Sequence, residues 1–103
     1  MVGYDGSEPA RRALDAAAEL IGYGSTLAVV ALRNGTADLA EDARTRLLRR
    51  QVPAHYVRCL GDPGESLVQA AREFGVDLLV VGDDEALRAA AVTYAPCDVL
   101  VVR

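Results

Sequence analysis

The chain has 103 residues, of which 51% are apolar and 25% are charged, and its formal net charge is −4 at pH 7. This length and composition predict one globular domain, 1–103, and exclude a disordered chain. No apolar run approaches the roughly 20 residues that cross a bilayer, and neither an export signal nor a basic cluster is recognisable. We therefore expect a cytoplasmic protein that binds neither membranes nor nucleic acid.

The first third of the chain predicts a strand, a helix and a second strand. The stretch Val2–Tyr4 is apolar and ends in the turn residues "DGSEP". Ser7 suits a helix N-cap, and Pro9 suits the first helical turn. We expect "GYGS" at 22–25 to end this helix, and 26–32 to form the second strand. The buried face of the helix is expected to comprise Ala10, Ala13, Leu14, Ala17, Leu20 and Ile21.

The middle of the chain predicts a helix, an edge strand and another helix. A turn at 33–36 leads into a more polar helix over 37–50. The third strand, Ala54–Arg58, alternates apolar and polar residues, which is typical of a half-exposed strand at the edge of a sheet. Asp62 then suits an N-cap, with proline following it. The buried stripe of this helix is expected to comprise Leu67, Ala70, Ala71 and Phe74.

The last third predicts a buried strand, a short helix and a final strand. Residues 78–81 are four consecutive aliphatic residues, followed by Gly82 and three acids. A helix over 84–94, with Leu87, Ala90, Ala91 and Tyr94 on one side, leads to a strand over 99–102. Five strands that alternate with four helices predict right-handed crossovers and a parallel sheet. The expected fold class is therefore α/β, a single three-layer domain.

Three stretches resemble the universal stress protein family, and together they span the chain. They are "VGYDGSEPARRAL", "GDPGESLVQAAREFGVDLLVVG" and "APCDVLVVR". Asp98 stands in the last of them where the family usually has proline. The resemblance implies an adenine-nucleotide-hydrolase-like sheet with the strand order 3-2-1-4-5. In such a sheet the first and fourth strands are neighbours at a switch point, where ligands bind in α/β folds.

The resemblance also implies a nucleotide site in members that bind ATP. Its residues here are an acid after the first strand, Asp5, followed by Gly6, backbone groups near Leu32, and a glycine-rich loop that begins at Gly82. In that loop a second glycine is expected at position 85 and a third at 95, but Glu85 and Ala95 occupy these positions. The expected helix over 84–94 also leaves no length for the loop.

The acids after Gly82 oppose a phosphate ligand. Glycines let backbone N–H groups approach an anion, whereas Asp83, Asp84 and Glu85 repel it. Acids in a first helical turn also stabilise that turn, so we expect them to act structurally. A site in which Mg²⁺ bridges these acids to phosphate stays open. Asp5 is equally compatible with a nucleoside contact and with a turn residue.

No other residue predicts chemistry. His55 lacks a second ligand or nucleophile nearby in sequence, so we expect a structural role. Cys59 and Cys97 lack metal-site spacing and are expected to be inert thiols. The chain has no lysine, which opposes a phosphoacceptor receiver domain, and no base that would serve an enzyme in the expected crevice. We therefore predict neither catalytic residues nor a metal.

The sequence thus favours a small stress or regulatory module without a cofactor. The alternative is a member of the family that binds ATP or AMP at a relaxed site between the first and fourth strands. The family resemblance further implies a homodimer through the last strand, which lies at the edge of the sheet and exposes unpaired backbone groups. The expected interface residues are Val99, Leu100, Val101 and Val102.

Overall fold

The computed structural model describes residues 1–21, 26–32, 39–59 and 61–103. The predicted stop at 22–25, the turn at 33–36 and the start of the second helix at 37 lie outside the described residues. The elements in chain order are β1 (Val2–Tyr4), α1 (Glu8–Leu20), β2 (Leu27–Ala31), α2 (Leu39–Arg49), β3 (Ala54–Arg58), α3 (Pro63–Phe74), β4 (Leu78–Gly82), α4 (Glu85–Tyr94) and β5 (Asp98–Val102).

The five strands form one parallel sheet in the order β3-β2-β1-β4-β5. This confirms the fold class and the strand order. β1 is short but central, since it pairs with both β2 and β4. Strand bounds differ from the prediction by one residue: β2 is shorter at both ends, β4 continues to Gly82, and β5 begins at Asp98. No helix in the described ranges has both the length and the apolar character needed to span a bilayer.

The helices cover both faces of the sheet, two on each. On one face α1 and α2 pack against the sheet through a cluster that includes Leu14, Leu39 and Leu47. On the other face α3 and α4 do so through Leu67 and Leu87, among others. The predicted three-layer arrangement is therefore confirmed. Each strand contributes side chains to alternate faces, which is why the sheet is apolar on both.

Three side chains that the helical pattern placed on the apolar sides of their helices are exposed instead. The exposed fraction is 56% for Leu20, 49% for Phe74 and 63% for Tyr94. Each is the last residue of its helix, in α1, α3 and α4 respectively. Helical spacing gives the direction in which a side chain points, but it does not show whether an element lies opposite the final turn.

A partly buried hydrogen bond joins the central strand to α2. Tyr4, at the end of β1, is fully buried, and its hydroxyl donates to the Asp42 carboxylate. Burial, and then the hydrogen bond to Asp42, raise the pKa of Tyr4 above its ordinary value. The neutral phenol is therefore favoured in the folded protein, and Tyr4 loses its proton less readily than it does in the unfolded chain.

We expect Tyr4→Phe to lower the free energy of unfolding by about 1–3 kcal/mol at neutral pH, because Asp42 loses a donor. The raised pKa adds stability that is fully present below the unfolded value of about 10 and is lost as the pH rises through the folded value. Wild type should therefore lose more stability than Tyr4→Phe in urea titrations on the alkaline side of that value. Tyr94→Phe, at an exposed tyrosine, is the control: because it keeps Tyr4, its free energy of unfolding should match that of wild type at neutral and at alkaline pH.

Candidate functional site

All four helices of the described residues begin at one edge of the sheet. Because the strands are parallel, their carboxyl ends share an edge, and each helix follows one of the strands β1 to β4. β3 lies at one edge of the sheet, and the connection from it to β4 crosses over β2 and β1 on a single face. This crossover brings the start of α3 beside the start of α4. Helix N-termini present unpaired N–H groups, so this edge is the expected place for an anion.

Asp5 closes the turn between β1 and α1. Its carboxylate accepts a hydrogen bond from the Ser7 N–H at 2.9 Å, and the Ser7 hydroxyl oxygen accepts one from the Ala10 N–H at 3.3 Å. Gly6, between them, has a φ of 81°, a value that favours glycine. Asp5 therefore has a turn role in this structure, and its contact with a nucleoside stays a prediction.

The acids after β4 have partners within the chain. Asp84 is the N-cap of α4, and its carboxylate accepts from the Leu87 N–H at 3.0 Å. Asp83 forms an ion pair with Arg88, one turn into the helix. Glu85 lies in the first turn of α4, where a negative charge is stabilising. The described contacts therefore agree with the structural role that the sequence favoured for these acids.

Gly82 lies against the first turn of α1. A Cβ atom added at Gly82 would lie 2.5 Å from both the carbonyl carbon and the carbonyl oxygen of Pro9. No real side chain tolerates such a distance, so only glycine lets β4 and α1 approach this closely. The packing of Pro9 is thus sufficient to explain the glycine at this position, without any phosphate.

Leu32 follows β2 and is buried. Its N–H donates to the Tyr4 carbonyl at 3.0 Å, which extends the pairing of β1 with β2 by one residue. Its side chain lies over Gly3, where an added Cβ would be 2.9 Å from a Leu32 methyl group. The Leu32 N–H is therefore engaged in the sheet and not available to a base.

Asp5 and the first turns of α3 and α4 line a crevice of about 310 Å³ at the carboxyl edge of the sheet, whereas Gly6, Leu32 and Gly82 do not line it. Its carboxylates are those of Asp5, Asp62 and Asp84, and no cationic side chain of the described residues lines it. Asp62 was assigned from the sequence only as the N-cap of α3, a role in which it accepts from the Glu65 N–H at 2.9 Å. Its place in the crevice follows from the long crossover, which the sequence pattern does not display.

The remaining candidates lie apart from the crevice. His55 is exposed on β3, at the far edge of the sheet. Cys59 follows β3 and Cys97 precedes β5, so they lie at opposite edges, and both are free. Burial raises the pKa of both thiols, which lowers their reactivity. Nowhere in the described ranges do three His, Cys, Asp or Glu side chains come together to hold a metal ion.

Three solved structures match the chain over nearly its whole length. A protein of the universal stress protein family from Burkholderia pseudomallei is 29% identical, with a TM-score of 0.72, and the match covers 98% of this chain and 93% of that one. A family protein from Arabidopsis thaliana with AMP bound is 17% identical, with a TM-score of 0.81 and coverage of 98% and 89%. A universal stress protein in complex with cAMP is 26% identical, with a TM-score of 0.80 and coverage of 99% and 93%.

No family model and no curated protein matches the chain. The similarity therefore rests on the structures, which cover almost every residue of this chain and nearly all of each neighbour. It agrees with the sequence motifs of the first strand, the third helix and the closing strand, and with the strand order. The chain resembles the universal stress protein family from end to end and has its fold.

Proposed function

We propose that the chain is a small, cytoplasmic, non-catalytic regulatory module of the universal stress type that does not bind ATP. One observation carries the proposal: at each of three turns or helix starts on this edge, a carboxylate of the chain already accepts a hydrogen bond from a backbone N–H. Asp62 accepts from the start of α3, and Asp84 from the start of α4. Asp5 does the same for the Ser7 N–H ahead of α1.

The balance of charges supports the same conclusion. Two unit charges of like sign about 4 Å apart near a protein surface repel by up to about 4 kcal/mol. A helix N-terminus stabilises an anion by only about 0.3–1 kcal/mol. A triphosphate in a crevice lined by Asp5, Asp62 and Asp84 would therefore be repelled, since no cation of the described residues lines it.

A second candidate is the binding of a nucleoside or a monophosphate such as AMP. Solved neighbours carry AMP and cAMP, and the crevice that Asp5 lines is large enough, at about 310 Å³, to admit part of a small molecule. A nucleoside carries no phosphate, and AMP carries one where ATP carries three, so the repulsion that opposes ATP is absent for a nucleoside and weaker for AMP. In this candidate Asp5 and Gly6 would contact the nucleoside, with Leu32 and Gly82 flanking it.

Thermal unfolding with added ligand tests both candidates. A ligand present at about 100 times its Kd adds about 2.7 kcal/mol to the free energy of unfolding. We expect ATP at millimolar concentration, with or without Mg²⁺, to leave Tm unchanged. A rise in Tm with ATP, or ATP carried through purification, would show that the proposal is wrong.

AMP, cAMP and adenosine form the second arm of this experiment. A rise in Tm with any of them, absent with ATP, would support the second candidate. Asp5→Ala should then abolish the rise in Tm. Asp62→Ala should not abolish it, because Asp62 lines the same crevice but is not the acid that the family resemblance assigns to the nucleoside. Both variants need a Tm measurement without ligand, because each carboxylate also stabilises a turn or a helix start.

We further propose that the module is a homodimer through β5. Among the described residues β5 pairs with β4 alone, so its outer edge presents backbone groups that these residues leave unpaired. Val99 and Val101 pack against the core under α3 and α4, whereas Leu100 points to the other face and is 37% exposed. Val92, on the neighbouring α4, is also exposed. An apolar edge flanked by exposed apolar side chains supports pairing with a second copy.

A further inference from the structure

A surface groove runs between α3 and α4, on the side of the molecule that faces away from the sheet. The two helices approach closely because Gly64 faces Ala90; a Cβ at Gly64 would lie 2.8 Å from the Ala90 Cβ. The groove beside this contact encloses about 670 Å³, and Val68 and Ala90 contribute its apolar surface. It adjoins the nucleotide-type crevice, with which it shares Asp62, Gly64 and Ala90, but Glu65, Val68 and Tyr94 line the groove alone.

Tyr94 lies at one end of the groove with 63% of its surface exposed. It is the last residue of α4, and its carbonyl accepts a hydrogen bond from the Arg72 guanidinium at 3.4 Å. The only cation that lines the groove among the described residues is thus engaged at the end of α4. The exposed ring of Tyr94 is available to a ligand, and aromatic rings attract cations over their faces.

The two helices that form the groove, with their N-caps, carry more acids than arginines. Glu65 lines the groove, is exposed, and forms no ion pair with any described residue. Arg88, the other cation on these two helices, pairs with Asp83. Of the acids on α3, α4 and their N-caps, Asp62 and Glu65 line the groove, whereas Glu73, Asp84 and Glu85 lie elsewhere on these elements. The arginines concentrate instead on the opposite face of the sheet, on α1 and α2, so they do not neutralise this surface.

We propose that the groove between α3 and α4 is a docking site for a basic segment of a partner protein. An aliphatic side chain of that segment would lie over Val68 and Ala90, with Lys or Arg side chains over the Tyr94 ring and beside Glu65. A second copy of this chain is a poorer occupant. Its arginine-rich α2 is tied to α1 through Asp15, which lies 3.8 Å from Arg46 and 3.7 Å from Arg50, and a head-to-tail contact would not close.

A labelled synthetic peptide with leucines and arginines at helical spacing tests this proposal by fluorescence anisotropy. We expect it to bind the full chain, and to bind less tightly as salt increases. The same peptide with every arginine changed to glutamate should not bind. Glu65→Gln and Tyr94→Ala should each weaken binding about two- to five-fold, the range for exposed charge pairs and cation–aromatic contacts.

Glu8→Gln is the matched control. It removes the same charge from the first turn of α1, on the opposite face of the sheet, and should leave binding unchanged. Equal weakening by Glu8→Gln and Glu65→Gln would mean that net charge alone attracts the peptide, and would overturn the proposal. Failure of the wild type to bind, tight binding of the glutamate peptide, or unchanged binding by Tyr94→Ala in a folded variant would overturn it as well.

Discussion

Gly82→Ala should lower the free energy of unfolding by about 1–3 kcal/mol or more, the range for overpacking a filled interior. The added methyl group would meet the Pro9 carbonyl carbon and oxygen at 2.5 Å, and main-chain atoms cannot rotate aside as a side chain can. In a domain of this size such a loss lowers Tm by several degrees or more. Urea titration of the wild type and the variant measures it.

Gly64→Ala provides a matched control, because its clash is with a side chain. The added methyl group would lie 2.8 Å from the Ala90 Cβ. Gly64→Ala should therefore destabilise the protein, and adding Ala90→Gly should recover part of the loss, even though glycine in a helix costs about 1 kcal/mol. Pro9→Ala should not rescue Gly82→Ala in this way, since it leaves the main-chain atoms in place.

The stability of Gly82→Ala also tests whether position 82 is glycine because of packing or because of a ligand. Gly82 is the residue that matches the start of a phosphate-binding loop, and a glycine kept for a ligand would tolerate alanine when no ligand is present. If Gly82→Ala is as stable as wild type, the packing explanation is wrong and a ligand role regains support. A large loss would mean that the contact of β4 with α1 is enough to require glycine at position 82.

The fold was predictable from the sequence because local signals agreed with one another. Ser7 and Asp62 cap the helices they were expected to cap, and β3 alternates because it lies at an edge. The pattern could not predict how far along each helix the packing against neighbouring elements continues, because Leu20, Phe74 and Tyr94, at the ends of their helices, are exposed. Burial at a helix end depends on which element lies opposite, and sequence spacing carries no information about it.

The crevice was predictable only in part, for a related reason. The switch point between β1 and β4 follows from the strand order, so Asp5 and the residues after β4 were expected to face one another. Asp62 lines the crevice because the connection from β3 to β4 crosses the sheet. Pro9 contacts Gly82 because the first turn of α1 packs against the end of β4. Contacts between residues so distant in the chain leave no local pattern.

We expect the second large effect at the outer edge of β5, where a second copy of the chain would pair. If β5 pairs with its counterpart in a second copy, antiparallel pairing about a two-fold axis extends the sheet across the dimer and closes the assembly. The side chains along β5 are half-buried or exposed, in contrast with the almost fully buried ones of β4, which is its only neighbour among the described strands. A monomer would leave this apolar edge in water, where it favours aggregation. Light scattering should therefore give twice the mass of one chain.

Val101→Pro should convert the dimer to monomer, because proline removes an N–H donor and is tolerated poorly within a paired strand. Val101 also lies in register with Val81 of β4, so the variant needs a circular dichroism spectrum to show that it folds. Leu100→Lys is the second variant: it alters only an exposed side chain, and lysine on an edge strand opposes pairing. We expect it to raise the dimer Kd about tenfold or more, which corresponds to about 1.4 kcal/mol.

Leu48→Lys, which changes an exposed leucine on α2, is the control and should leave the dimer intact. Leu100→Lys and Leu48→Lys each remove an exposed leucine and add the same charge. A different effect of the two on the dimer would therefore show that the edge of β5, and not exposed apolar surface in general, holds the two copies together. A wild-type monomer at all concentrations would disprove the dimer. A dimer that survives both Val101→Pro and Leu100→Lys in folded protein would place the interface elsewhere, since neither the backbone nor the side chains of β5 would then contribute to it.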